Sequence, residues 1–545
     1  MVKLTIDGQR VEVDSGTTIL DAAHKIGIGI PALCYRAGCD PSTSCMVCVV
    51  NVSGKLLPSC ATLVQEDMVV ESETAEVHEA RQAALELLLS DHIGDCIAPC
   101  HRSCPADMNI PLMIRQISSG KIRDAIVPVK NDIALPAVLG RICPAPCEKA
   151  CRRGSYDEGV AICLLKRFAA DVDLVSETPY IPECKPDTGK TVAIIGAGPA
   201  GLSAAYYLAQ YGYKCVIFDE HEKPGGMLRY GVPEDKLPHK VLDMEIEIIR
   251  ELGAEMVMNK KIDEEALENL RKEYDAVLIS TGGNKEGIAS LFKVSRSTLQ
   301  TEEKDVFIAG NAVGRNSKMA VRSVSDGKLA AKSIAQYLSG SMVTGAEKPF
   351  TTNIGKLNEG EIHSFMKGVS DSPRYKPTEI ADAQRHGGKQ SSLFSPPLRA
   401  SYFDIFPDKQ TGFSPQEAVA ESNRCLHCDC RKADNCKLRD YSNIYDASSR
   451  KYKGDGKTFD QYFHPADTQD SSVEPYVIYE PGKCIKCGLC VQITTKAREP
   501  LGLTFVGRGF DVKIGVPFNR RIDEGLRKVA EECVEACPTG ALAFK

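Results

Sequence analysis

The chain has 545 residues, 43% of them hydrophobic and 26% charged, with a formal net charge of −6. That length accommodates three or more domains, the acidic balance disfavours nucleic acid as a partner, and no run of 18 apolar residues offers a membrane span. The outlier is cysteine, 23 residues in closely spaced groups, which suits metal or iron–sulfur ligation better than a disulfide framework.

The opening MVKLTIDGQRVEV alternates as a strand does and has no signal-peptide core, so a cytoplasmic location is expected. Residues 1–76 read as short strands and turns and form a first domain. They carry Cys34, Cys45, Cys48 and Cys60, spaced C-x10-C-x2-C-x11-C. Four thiolates on a loop that folds back can hold a [2Fe–2S] cluster, with zinc as the competing occupant. Cys39 is surplus, a packed thiol. The stretch EVHEARQAALELLLSDH has helical apolar spacing over 76–92.

Residues 77–185 read as a helical domain. SDHIGDCIAPCHRSCPADMNIP offers His92, Cys96, Cys100 and Cys104, and GRICPAPCEKACRRG adds Cys143, Cys147 and Cys151. Two such halves can jointly hold two [4Fe–4S] clusters, each drawing ligands from both. In VAICLLKRFAAD, Cys163 lies one helical turn before Lys166, on the same face.

Residues 186–340 alternate strand and helix patterns as an α/β unit does. In KTVAIIGAGPAGLSAAYYLAQYGYKCVIFDE, Gly196, Gly198 and Gly201 lie between an apolar strand and a helix. These glycines permit a tight turn, close approach of a pyrophosphate and close helix packing, and the helix N-terminus with Pro199 and Ala200 faces the phosphates. Asp219 ends the next strand, where a carboxylate meets a ribose hydroxyl. No second glycine fingerprint of this kind occurs.

Residues 341–420 are poor in apolar runs and read as an extended linker. A small cysteine-cluster segment, 421–475, holds Cys425, Cys428, Cys430 and Cys436, a further [4Fe–4S] candidate with zinc as the alternative. In 476–545, KCIKCGLC and CVEACPTGALAF supply Cys484, Cys487, Cys490 and Cys537. They make one complete set of a two-cluster ferredoxin pattern whose other set is depleted, and Cys533 is left over.

These motifs carry resemblances. The first cysteine group and the segment GLTFVGRGFDVKIGVPF resemble the ferredoxin domains of the large iron–sulfur subunit of complex I and of iron-only hydrogenases. Residues 140–151 match the GR-x-CP-x-PCE-x-x-C of the glutamate synthase small subunit and dihydropyrimidine dehydrogenase. In that family the last ligand is a Glu or Gln, and it falls here on Lys166; Cys163 or His92 is left to substitute. KPGGMLRYGVPEDKLP is similar to the family segment that lies against FAD, which implies contacts from Gly225, Gly226, Met227, Leu228, Gly231 and Val232. YDAVLISTGG and DVFIAGNAV imply Gly282, Gly310 and Asn311, with Asn where the family has Asp. The family's inserted NAD(P)H domain is missing, since residues 280–307 are too few for one.

The resulting expectation is a multidomain α+β and α/β protein. It comprises a β-grasp [2Fe–2S] ferredoxin, a helical [4Fe–4S] domain, a Rossmann-like FAD domain and a C-terminal ferredoxin-like domain. FAD, one [2Fe–2S] and three or four [4Fe–4S] clusters are implied, in an electron-transfer subunit of a larger redox complex. Its implied partners are a nucleotide-binding flavoprotein module, a terminal oxidoreductase such as a hydrogenase or formate dehydrogenase, and ferredoxin. The competing readings are a stand-alone NAD(P)H-dependent reductase and an assembly scaffold with structural clusters. No catalytic side chain is assigned.

Overall fold

A computed structural model describes residues 1–283, 287–314, 317–366, 368–375, 412–452, 477–509 and 512–544. The chain divides into two compact units. The first is built from residues 1–98, 349–368 and 428–545, the second from 99–348 and 369–427.

The first unit begins with a five-stranded mixed sheet. Its strands are β1 (Val2–Ile6), β2 (Gln9–Val13), β3 (Val49–Val52), β4 (Lys55–Pro58) and β5 (Met68–Glu71), in the order β2-β1-β5-β3-β4. β1 and β5 run parallel, and the other neighbours antiparallel. Alternation on β1 and β2 turns Leu4, Ile6, Val11 and Val13 inward. The helix Ile19–Lys25, capped by the Thr18 side chain at the Asp21 N–H, buries Ile19, Leu20, Ala22 and Ala23 against that face. This is the grasp-like sheet expected for 1–76. The helix expected at 76–92 spans Ala75–Ser90, with Thr74 as its N-cap.

The second unit combines helices with a parallel sheet. Helices Ile110–Ser118, Ile122–Asp132, Pro136–Ile142 and Ile162–Leu174 share one core with the sheet. The strands are β6 (Thr191–Ile195), β7 (Lys214–Phe218), β8 (Glu255–Val257), β9 (Ala276–Ile279) and β10 (Val306–Ile308), ordered β10-β9-β6-β7-β8 and parallel throughout. The near-continuous apolar runs of β6, β9 and β10 are those of strands covered on both faces. Helix Pro199–Gln210 connects β6 to β7, and helix Ala320–Leu338 crosses it closely. The crossing depends on Gly327, where an added Cβ would stand 2.3 Å from the Ala200 carbonyl oxygen. β9 and β10 are paired neighbours, joined by residues 280–305 alone.

Two remote pieces are threaded into these units. Phe350 accepts from Arg439 Nε at 2.8 Å, and helix Glu359–Met366 buries Ile362, Phe365 and Met366 in the first unit. That helix falls in the stretch expected to be an extended linker, of which 376–411 lies outside the described residues. In the second unit, fully buried Arg153 and Arg424 both bind Asp157, and Arg153 also donates to the Ser370 and Arg424 carbonyls. The first unit closes with two ribbons, β11 (Val477–Tyr479) with β14 (Leu542–Phe544) and β12 (Thr504–Val506) with β13 (Lys513–Gly515). Among the described residues no helix is long and apolar enough to cross a membrane.

Candidate cofactor sites

The glycine loop after β6 opens onto a cleft lined by Gly196, Gly198, Pro199, Ala200, Asp219, Gly226, Met227, Gly282, Gly310 and Asn311. Helix Pro199–Gln210 starts there with no side-chain cap, so its first N–H groups are available to an anion. Gly196 has φ 108°, and Gly225 donates its N–H to the Ala197 carbonyl, tying the KPGG segment to the loop. Gly201, Gly225, Leu228, Gly231 and Val232 are not among the lining residues. Gly201 packs instead: an added Cβ would stand 2.0 Å from the Gly196 carbonyl oxygen.

Asp219 has a second task. Its Oδ2 accepts the Ala197 N–H at 2.7 Å, and its Oδ1 accepts the His221 N–H at 2.9 Å and lies 2.7 Å from His221 Nδ1. The His221 ring stacks on Tyr230 at 4.6 Å, and both line the cleft. Asn311 also braces the chain, giving Nδ2–H to the Ser317 carbonyl and accepting the Ser317 N–H.

In the first unit, Cys34 and Cys45 Sγ are 3.4 Å apart, as are Cys48 and Cys60. All four are buried. Hydrogen bonding from Cys45 holds the Cys34 thiol low, and hydrogen bonding from Cys60 lowers Cys48 to about 7. Hydrogen bonding to Cys34 raises Cys45 and Cys60 in turn, so two of the four close thiols hold their protons weakly, and together they form the donor set a [2Fe–2S] cluster requires.

Spacing groups Cys96 with Cys100 and Cys104, but the boundary between the two units falls between Cys96 and Cys100. Cys96 belongs to the first unit with Cys430 and Cys436. Cys430 donates its N–H to the Cys96 carbonyl at 3.2 Å, and burial first, then the closeness of the neighbouring cysteines, raises Cys430 and Cys436. Thr352 donates its N–H to Cys96 Sγ at 3.4 Å. His92 is half-buried beside Lys483, and its Nδ1 is buried with no hydrogen-bond partner. Burial and the Lys483 charge lower it to about 4, leaving the neutral imidazole that a metal ligand must be. Lys483 acts on the Cys430 thiol too, so the orphaned nitrogen and the three thiols share a charged neighbour, and their chemistry fits a [4Fe–4S] cluster.

In the second unit, Cys104, Cys143, Cys147 and Cys163 converge. Cys163 is within hydrogen-bonding reach of both Cys143 and Cys147, and Cys104 senses the Cys143 charge. Cys100, Cys151 and Cys425 pack against the same unit's core. The turn after Cys425 has the same local geometry as the turn after Cys484. His427, at φ 46°, donates its N–H to Cys425 Sγ at 3.4 Å, and Lys486, at φ 55°, does the same to Cys484 at 3.4 Å.

Cys484, Cys487, Cys490 and Cys537 line one small cavity with Tyr479, Ile514 and Pro538. An apolar cavity ringed by four thiols fits a [4Fe–4S] cluster. Cys533 is fully buried beside the Cys490 carbonyl. Leu33, Cys34, Cys45, Cys436, Cys487 and Leu489 belong to a single apolar cluster. The sequence reading missed Lys483 and Thr352; position next to Cys484 is the only signal Lys483 carries.

Three family models match parts of the chain. They are a 2Fe-2S iron–sulfur cluster binding domain at 1–75, dihydropyrimidine dehydrogenase domain II with its 4Fe-4S cluster at 72–178, and an NAD(P)-binding Rossmann-like domain at 194–254. The chain is 41% identical over 207 residues to the NADP(+)-dependent formate dehydrogenase subunit beta of Moorella thermoacetica, covering 34% of this chain and 29% of that protein. It is 38% identical over 191 residues to the NADPH-Fe(3+) oxidoreductase subunit beta of Geobacter sulfurreducens, covering 34% and 28%. It is 37% identical over 194 residues to the glutamate synthase [NADPH] small chain of Mycobacterium tuberculosis, covering 34% and 39%. The aligned part is thus well under half of each relative. The domain series expected from sequence, a [2Fe–2S] ferredoxin, a helical 4Fe-4S domain and a Rossmann-like domain, is the one these models match.

Proposed function

We propose that the chain is an oxidoreductase subunit that relays electrons between FAD, iron–sulfur clusters and partner subunits. The observation that carries this reading is the apolar cluster in which Cys34, Cys45, Cys436 and Cys487 take part. Three separate cysteine sets thereby share one water-poor core, an arrangement suited to passing single electrons and of no use to isolated structural clusters.

FAD exchanges electrons in pairs and the clusters one at a time. The chain's residues bind, orient and insulate these groups. The N–H groups at the start of helix Pro199–Gln210 hold the pyrophosphate, and Asp219 accepts from the ribose while it braces Ala197. Cys34, Cys45, Cys48 and Cys60 hold the [2Fe–2S] cluster. Two [4Fe–4S] clusters fall to Cys484, Cys487, Cys490 and Cys537, and to His92, Cys96, Cys430 and Cys436. A third falls to the Cys104 set, and Cys100, Cys151 and Cys425 leave thiols for a fourth.

The pairing of β9 with β10 leaves residues 280–305 too short for a nicotinamide-binding domain. A partner subunit therefore supplies that site, with a terminal oxidoreductase or ferredoxin completing the path. The relatives named as beta subunits support such an assembly. The match of 194–254 to an NAD(P)-binding model supports a second reading, in which the cleft takes NAD(P)H and the chain is a reductase by itself.

An anaerobic visible-absorption titration of the reconstituted chain separates the two. Reduced ferredoxin is expected to bleach flavin and clusters, and NADH or NADPH alone is not. Rapid bleaching by either nucleotide alone would establish the reductase.

A further inference from the structure

We propose that Cys163 is the fourth ligand of the Cys104–Cys143–Cys147 cluster and that Lys166 is its built-in countercharge, tuning that cluster to a higher reduction potential. This rests on the relay reading above, and it assigns two residues where the resembling family uses one carboxylate or amide.

The backbone brings the four thiols together. Helices Pro136–Ile142 and Ile162–Leu174 touch at Gly140, where an added Cβ would stand 2.6 Å from the Arg167 Cβ. That contact sets Cys143, at the end of one helix, beside Cys163, in the first turn of the other. The Cys163 N–H donates to Glu148 Oε1 at 2.8 Å, and Glu148 Oε2 accepts from Arg374 Nη2 at 2.6 Å. Glu148 is thus spent on the helix start and on Arg374, so the carboxylate nearest in sequence is not free to ligate. Cys163 is in reach of Cys143 and Cys147, and it adds the fourth thiolate that a cubane corner requires.

Lys166 lies one turn on, 4% exposed. Its charge faces Cys163, Cys143, Cys104 and Cys147, whereas neighbouring Arg167 is paired with Asp171 at 3.3 Å. Burying an ammonium is costly unless negative charge lies beside it. A cubane with four thiolates is an anion whose charge grows on reduction, so a fixed cation beside it favours the reduced form. In this chain the ligand and the charge have been divided between two adjacent turns of one helix.

The test uses the full chain, reconstituted anaerobically, with iron analysis and potentiometric EPR. Cys163→Ala is expected to convert one cluster to a [3Fe–4S] signal while the others stay unchanged. Lys166→Met is expected to keep full iron content and shift the midpoint of that same component to lower potential. Cys163→Ala combined with Lys166→Glu is expected to restore the four-iron signal. Full cluster content and an unaltered spectrum in Cys163→Ala would overturn the ligand assignment. An unmoved midpoint in Lys166→Met would overturn the countercharge. A parent chain with no [4Fe–4S] cluster would overturn the relay reading and this one together, an outcome distinct from the other two.

Discussion

Arg81 donates from Nη1 to the hydroxyl of Tyr445 at 2.7 Å, joining two residues 364 positions apart inside one core. The guanidinium is fully buried and also gives Nε–H and Nη2–H to the Val49 carbonyl, on the sheet that carries Cys48 just before it. Replacing it by methionine strands a buried carbonyl and a buried hydroxyl. Arg81→Met is therefore expected to destabilise the first unit by about 3 kcal/mol, and Tyr445→Phe by about 1 kcal/mol. Anaerobic denaturant unfolding followed by cluster absorbance measures both; equal midpoints for Arg81→Met and parent would refute the brace.

Glu245 gives a pH dependence with a definite sign. The buried carboxyl accepts the N–H groups of Ala137 and Val138 at 2.7 and 2.9 Å, and burial raises it to about 7. Its folded value thus lies above its unfolded one, so the protonated form is favoured by folding. The stabilisation is whole below the unfolded value near 4.5 and is lost as pH rises through about 7, amounting to about 3 kcal/mol. Glu245→Gln cannot ionise, so its unfolding midpoint should gain on the parent's between about pH 5 and about pH 8. A constant difference between the two proteins would count against this account.

Two glycines of the same loop should fail differently. At Gly198 nothing lies within 4 Å of an added Cβ, whereas at Gly201 the Cβ meets Gly196 and the Ser280 hydroxyl. Gly198→Ala is expected to melt like the parent and lose bound flavin, because only the incoming pyrophosphate is obstructed. Gly201→Ala is expected to lose about 3 kcal/mol of stability even without flavin. Thermal melts paired with flavin content distinguish them, and a Gly198→Ala chain that keeps its flavin would contradict the cleft assignment.

The proposed site of Cys96, Cys430 and Cys436 predicts a common phenotype for distant residues. Cys96→Ser and Cys430→Ser should abolish the same EPR component, while Cys39→Ser alters none. His92→Cys exchanges a neutral ligand for an anionic one, so it should retain that component at lower potential. Different components lost in Cys96→Ser and Cys430→Ser would show two sites in place of one.

Much of this was legible because some ligand sets are local. The glycine loop, its strand and its helix are contiguous, so spacing alone locates Gly196, Gly198 and the close packing of Gly201. The Cys484, Cys487 and Cys490 turn is likewise written in one short run. The surroundings of Cys96 were not legible, for the opposite reason. Its spacing to Cys100 and Cys104 is that of a cluster motif, yet the chain divides just after Ala98. Its neighbours are set by tertiary contacts, such as Ile93 N–H to the Gly482 carbonyl and Cys430 N–H to the Cys96 carbonyl, which have no sequence signature. Asp219 was read for a ribose, and its bond to Ala197 could not be foreseen without the loop's geometry. Lys166 was visible as a poor ligand; its role as a neighbouring charge emerges only once the four thiols are brought around it.

The composition of the first unit, from residues 1–98, 349–368 and 428–545, fixes a timetable for the cell. A nascent chain exposes His92 and Cys96 long before Cys430 and Cys436 have left the ribosome. Cys104, Cys143, Cys147 and Cys163 emerge together, so their pocket can close during synthesis as an early-folding segment does. On the proposed assignment, iron delivery to His92 and Cys96 must wait until Cys430 and Cys436 have left the ribosome. Translation products stalled before residue 428 would hold iron at one of these two pockets and none at the other.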